Sequence, residues 1–271
     1  MRTDGPAAGV ADVPVLLATG EMSLVGRITG SSNIIFLVEV VSADGEERVR
    51  AVYKPIAGER PLWDFPDGTL AAREHLTWAV SRALGWDLVP PTVLRDGPHG
   101  LGSVQEWVEH EDAPAWVDVV PADAELSGWI PVLSGEDEAG HPVTVVHRDA
   151  PQLRRLAILD IVVNNSDRKG GHVLTGPDGS VRGIDHGLTF HVDPKLRTVL
   201  WGWVEQPLDA EELAGLGRLS EALEGDLGAR VRDLLSDTEA RETQRRLASL
   251  VEAGRFPAPD GRWPSVPWPP F

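Results

Sequence analysis

The 271-residue chain reads as an α+β protein of two lobes, a small antiparallel β-sheet with one main helix followed by a mainly helical half. Three observations predict this. β-branched runs alternate with turn residues from Ser23 to Lys54, the pattern of an antiparallel meander. One long segment, AAREHLTWAVSRALG, then carries apolar residues at helical spacing. Beyond Pro151, apolar residues recur three and four apart through most of the remaining chain. The length suits two lobes, because single cores stop growing at about 250–300 residues.

The first dozen residues, rich in Gly, Ala and Pro, read as a loose arm ahead of VPVLLAT. LVGRI, IIFLVEV and VRAVYK are expected as strands, with the second and third joined at the Asp44-Gly45 turn. The helix AAREHLTWAVSRAL stops at Gly85 and is expected to pack on this sheet, which VPPTVL and GSVQEWVE complete. The first lobe is thus drawn over 1–109 and the second over 110–271. From His110 to Pro142 the chain is rich in acid, Pro and Trp, lacks a clear period and reads as loops and short helices. Pro151 suits a first helical turn, and QLRRLAILDIVV leads into the polar loop NNSDRKGGH, spanning 164–172. HVLTGPDGSVRGIDHGLTF reads as a hairpin ending on an aspartate. EELAGLGRLSEAL and ETQRRLASLVEAG are amphipathic helices, and RWPSVPWPPF is too proline-rich to be helical.

Composition excludes several classes of partner. A net charge of −17 opposes nucleic acid and stable association with an anionic membrane, both of which normally require a basic patch. No apolar run is long enough to cross a bilayer, and the amino terminus shows no secretory pattern, so a cytoplasmic location is the expectation. Cysteine is absent, which removes thiolate metal sites. Of 25 basic residues only Lys54, Lys169 and Lys195 are lysines, so each retained lysine is informative.

The polar residues fall into an ordered set. Gly30, Ser31, Ser32 and Asn33 form a turn whose small side chains and exposed N–H groups suit an anion, although the same tetrapeptide is an ordinary hairpin turn. Lys54 ends the third strand. Glu74 follows 20 residues later, read as the first turn of the helix, where it can aim Lys54 or simply favour the helix amino terminus. Asp167 lies in the polar loop and Asp185 ends the hairpin 18 residues on, in Gly183-Ile184-Asp185-His186-Gly187. That spacing brings two carboxylates to one edge. Transfer of phosphate from ATP needs a phosphate cradle, a cation on the phosphates, a group orienting the acceptor and carboxylates for magnesium, and this order of residues offers a candidate for each.

VYKP, the helix opening AARE, LVPPTVL, NNSDRKGGHVL and GIDHGLTF together resemble the phosphatidylinositol 3- and 4-kinase superfamily, chiefly its smaller bacterial and type II 4-kinase relatives, over about Ser23 to Phe190. The resemblance implies a bilobal kinase-like fold and ATP with Mg2+, or Mn2+, as cofactors. It implies Lys54 on the phosphates, the 30–33 turn as phosphate loop, Asp167 as catalytic aspartate, and Asp185 as metal ligand. Gln105, Glu106, Trp107 and Val108 would form the adenine-binding hinge, and Arg168 and Lys169 would touch the γ-phosphate or the acceptor, or be a solvated basic pair. One departure is His172, which stands where the family has asparagine as second magnesium ligand; imidazole is a less usual ligand for that ion. The acceptor expected is a protein side chain or a small hydroxylated metabolite. A nucleotide-binding pseudokinase scaffold and a protein AMP-transferase are the alternatives.

Two other segments imitate the motifs. His147-Arg148-Asp149 resembles a catalytic triplet, but Asp149 precedes a helix and reads as its cap. Asp160 has Asn165 at the right spacing, yet it lies within an apolar helix and reads as a buttress for the loop that follows.

Overall fold

A computed structural model describes residues 12–30, 33–66, 68–110 and 114–271. Ser31 and Ser32 of the expected phosphate loop lie outside the described residues. The chain forms two compact units, 1–59 with 91–107 and 60–90 with 108–271, so it crosses between units three times instead of once after residue 109.

The first unit is a five-stranded antiparallel sheet of order β1-β2-β3-β5-β4, built from β1 (Glu21–Ile28), β2 (Ile35–Val41), β3 (Arg48–Pro55), β4 (Thr92–Gly97) and β5 (Gly100–Glu106). The helix on this sheet is α1 (Val13–Thr19), a segment whose role the sequence reading left open. Its Leu16 and Leu17 join Val38, Val40, Ala51, Tyr53, Val93 and Val104 in a small core. Arg95 of β4 donates to the carbonyls of Leu17 and Gly20, at 2.8 and 2.9 Å, and so closes the end of α1. Burial alternates along β3, with Ala51, Tyr53 and Pro55 inward, as a half-buried strand requires.

The expected main helix, α2 (Leu70–Leu84), belongs to the second unit. It packs there with α3 (Pro151–Val163), α4 (Ala210–Glu224) and α5 (Asp226–Leu234). Gly85 ends it in the left-handed conformation, φ 75°, which is the reason for a glycine at that position. Arg73 and Glu74 on this helix are buried, and Arg73 pairs with Glu239 at 2.5 Å; Glu239 sits in the first turn of α6 (Asp237–Ala253). The stretch expected as loops instead forms a three-stranded sheet of order β6-β8-β7, from β6 (Val117–Pro121), β7 (Trp129–Glu136) and β8 (Pro142–Arg148). Its prolines explain the missed pattern: Pro121 and Pro131 sit on the two outer strands, where the ladder tolerates a missing N–H, and they dilute the β-branched signal. α3 is buried along most of its length, and with α2, α4, α6, Trp203 and Phe256 it forms the large core. Asp149 does not cap it. The carboxylate accepts the Trp203 indole N–H at 3.0 Å, and His147 is a buried strand residue whose ring lies 4.4 Å from that of Trp203 at a tilt of 42°.

Candidate active site

α3 ends at Asn164, a left-handed residue (φ 53°) that turns the chain into the polar loop. A layer of hydrogen bonds then holds the loop from beneath. Asp160, in the last turns of α3 and fully buried, accepts from the Arg168 guanidinium at 2.9 Å on each carboxylate oxygen. The Asn165 amide donates to the same aspartate at 2.9 Å, and its own side-chain oxygen accepts the backbone N–H of Asp167 at 3.0 Å. Asp160 is therefore the buttress expected. Arg168 is not a ligand-facing residue. It is fully buried, and its remaining donors go to the carbonyls of His172 and Ile184 and to the His186 ring. An ion pair of this kind, removed from water and fully hydrogen-bonded, ties the loop to the hairpin strand bearing Asp185.

That hairpin pairs β9 (Val173–Thr175) with β10 (Val181–Gly183), and the Ile184 N–H reaches back to the His172 carbonyl at 3.0 Å. Asp185 follows with φ 60°, a conformation costly for most residues and more accessible to Asp, which leaves its carboxylate half exposed. The His172 Nε2 lies 3.4 Å from Asp185 Oδ2. Asp167 stands opposite with Lys169 Nζ 3.8 Å from its Oδ2. Burial, chiefly, and the Asp185 charge push the Asp167 carboxyl up to about 6, against the opposing pull of Lys169, Arg197 and Arg168. Gly187 closes the motif against α2: a side chain there would begin 3.8 Å from Glu74 Oε1. Glu74 is the fifth residue of its helix, so a role as a first-turn charge falls away, and it is buried.

The tail passes over this loop. Gly170 N–H donates to the Pro270 carbonyl at 2.8 Å, and the Phe271 ring fills the space where a side chain on Gly170 would lie. Residues 197–199 run beside the loop in parallel, with Arg197 N–H on the Asn165 carbonyl and Arg168 N–H on the Arg197 carbonyl.

In the first unit, Lys54 pairs in register with Ser103, and Gly102 is required there because Lys54 and Pro55 backbone atoms occupy the place of a side chain. Gly30 turns with φ 92°, and Asn33 is half-buried. Of the expected hinge, Gln105 is buried between two strands with its amide on Thr92, and the N–H groups of Glu106 and Trp107 are committed to the carbonyls of Pro91 and Arg50. Val108, just beyond the unit boundary, is the remaining hinge candidate. The site residue with no motif is Arg197; nothing in its sequence neighbourhood marks it.

Protein Rv2133c of Mycobacterium tuberculosis is 46% identical over 269 residues, covering 96% of each chain. The chain belongs to the Rv2133c family. The chain also has a more distant likeness to phosphatidylinositol 4-kinase gamma 5 of Arabidopsis thaliana, 31% identical over 145 residues, 48% of this chain and 22% of that protein. A Helicobacter pylori proinflammatory kinase, CtkA, superposes with a TM-score of 0.45 and 10% identity over 88% of this chain and 94% of its own, a level that says nothing of activity. No family model matches the chain. Among the described residues no helix is long and apolar enough to cross a membrane.

Proposed function

We propose that this chain is an ATP- and Mg2+-dependent phosphotransferase. The carrying observation is the pair of carboxylates at the loop and hairpin, Asp167 and Asp185, held over a buried Asp160–Arg168 latch and close enough that one raises the proton affinity of the other. The partial likeness to a phosphatidylinositol 4-kinase agrees with it. Asp167 orients and accepts the proton of the attacking hydroxyl, and Lys169 beside it offers charge to the reacting phosphates. Bound magnesium would neutralise and clamp those phosphates.

The donor set suits that ion. Magnesium keeps several waters and takes one or two carboxylates plus substrate phosphates, and among the described residues no cluster of three or more His, Cys, Asp or Glu forms a closed cage. Asp185 is the carboxylate for it. His172, aimed at Asp185 Oδ2, acts better as the group that sets that carboxylate's orientation than as a ligand. The acceptor on this reading is a protein side chain or a small hydroxylated metabolite, since the net charge of −17 disfavours a lipid surface.

Calorimetry of ATP with and without Mg2+ tests the reading, with products followed by mass spectrometry. Wild type is expected to bind MgATP and release ADP, and Asp185→Ala to lose at least about tenfold in affinity, the loss of one charged contact. AMP as product would replace the reading with nucleotidyl transfer, and binding without turnover would replace it with a scaffold role. Absence of MgATP binding by the wild type would refute it.

A further inference from the structure

The arginines packed into the second unit have partners. Arg73 meets Glu239, Arg154 meets Glu212, Arg168 meets Asp160, and Arg246 donates to two carbonyls and a threonine hydroxyl. Lys195, two residues before Arg197, is buried with its Nζ 2.7 Å from Asp64 Oδ2 and lies over the rings of Trp63 and Trp263. Arg197 is the exception. Its backbone is fixed on both sides, but its guanidinium makes no ion pair or side-chain hydrogen bond among the described residues, although the Nε is buried. A buried guanidinium donor left unmade is costly, and an oxygen acceptor brought beside it would remove that cost.

Its position says what that is. The parallel bridge between Arg168 and Thr198 makes Arg197 the cross-strand neighbour of Asp167, and Lys169 Nζ lies 3.8 Å from that aspartate's Oδ2. Asp167 is thus flanked by two cations, one of them without a partner, in a chain of net charge −17. A single carboxylate, itself partly buried, does not use five guanidinium donors. A tetrahedral or planar oxyanion beside the aspartate does, because the fork of an arginine matches phosphate and carboxylate oxygens in pairs.

We propose that Arg197, with Lys169, forms an oxyanion subsite beside Asp167 that holds a phosphate-like group during transfer, and that the acceptor is a hydroxyl compound carrying such a group of its own. The role in transfer rests on the phosphotransferase reading; the binding of an oxyanion does not. Two sources supply the same chemistry, the acceptor's anionic group and the transferred phosphoryl group, and the acceptor is favoured because bound magnesium would itself serve the phosphates of the nucleotide.

Inorganic phosphate is the probe, titrated by calorimetry against the full chain, wild type and Arg197→Gln, with MgATP binding measured separately on both. The guanidinium makes no side-chain bonds, so Arg197→Gln is expected to fold and melt like wild type, and Arg197→Lys to keep part of the phosphate affinity. Phosphate affinity is expected to fall by about tenfold in Arg197→Gln, one charge-assisted contact, with MgATP affinity changed less than about twofold. Phosphate bound together with MgATP assigns the subsite to the acceptor, and phosphate displaced by MgATP limits it to the transferred group and overturns the acceptor claim. Equal phosphate affinity in wild type and Arg197→Gln, or no phosphate binding by the wild type, overturns the subsite itself, whatever MgATP does.

Discussion

Asp167 holds its proton more tightly in the folded chain than an ordinary aspartate, to about 6, because burial disfavours the charged carboxylate. The sign for stability follows. Between about 4 and 6 the folded state binds more protons than the unfolded one, so stability falls as pH rises through that window and the penalty is complete above it. Asp167→Asn should therefore melt higher than wild type at pH 7.5, by about 1–2 kcal/mol after allowing for partial exposure, with the difference gone near pH 4, while losing turnover at every pH. Thermal melts at the two pH values decide it, and turnover of wild type should rise as pH passes about 6. This aspartate and Asp185 were legible because one lies in a polar loop and the other ends a short apolar strand between two glycines, 18 residues on across one hairpin. Arg168 follows Asp167 in the same polar loop but is buried against Asp160, which its own sequence neighbourhood does not reveal, and Arg197 belongs to no local pattern at all.

At the level of elements, the site depends on α3 reaching into its own following loop. Asp160 joins helix to loop through Arg168 and Asn165, and Arg168 joins loop to hairpin through the Ile184 carbonyl. Removing one partner strands a buried charge. Arg168→Met should cost about 3–5 kcal/mol, read as a lowered denaturant midpoint, and Asp160→Leu combined with Arg168→Met should recover much of it. A cycle in which the double variant is as unstable as the sum of the singles would contradict the latch. Helices α3, α4 and α6 and the hairpin were readable from period and turn residues. The small helix α1 and the sheet of β6, β7 and β8 were not, because seven residues are too few to show a helical period and because proline on both outer strands masks alternation. The main helix was recognised but assigned to the wrong neighbours: it is buried nearly all round, so its own sequence carries no face to indicate them.

For the molecule as a whole, the charge of −17 sets which surfaces it can approach. An anionic membrane should repel it, and the chain is expected to stay in the supernatant when vesicles rich in phosphatidylserine and phosphoinositide are sedimented at physiological ionic strength. Retention on such vesicles would reopen a lipid as acceptor. The two units have separate hydrophobic cores, and the carboxylates of the candidate site all come from the second. Within it, the brace on Gly170 arrives late. Pro270 and Phe271 are about 85 residues downstream of Asp185, so on a translating ribosome the loop of 164–172 and the hairpin are synthesised well before the segment that packs against Gly170. The chain thereby carries its own delay: in a nascent molecule the loop stands without its last support until Pro270 and Phe271 have been made.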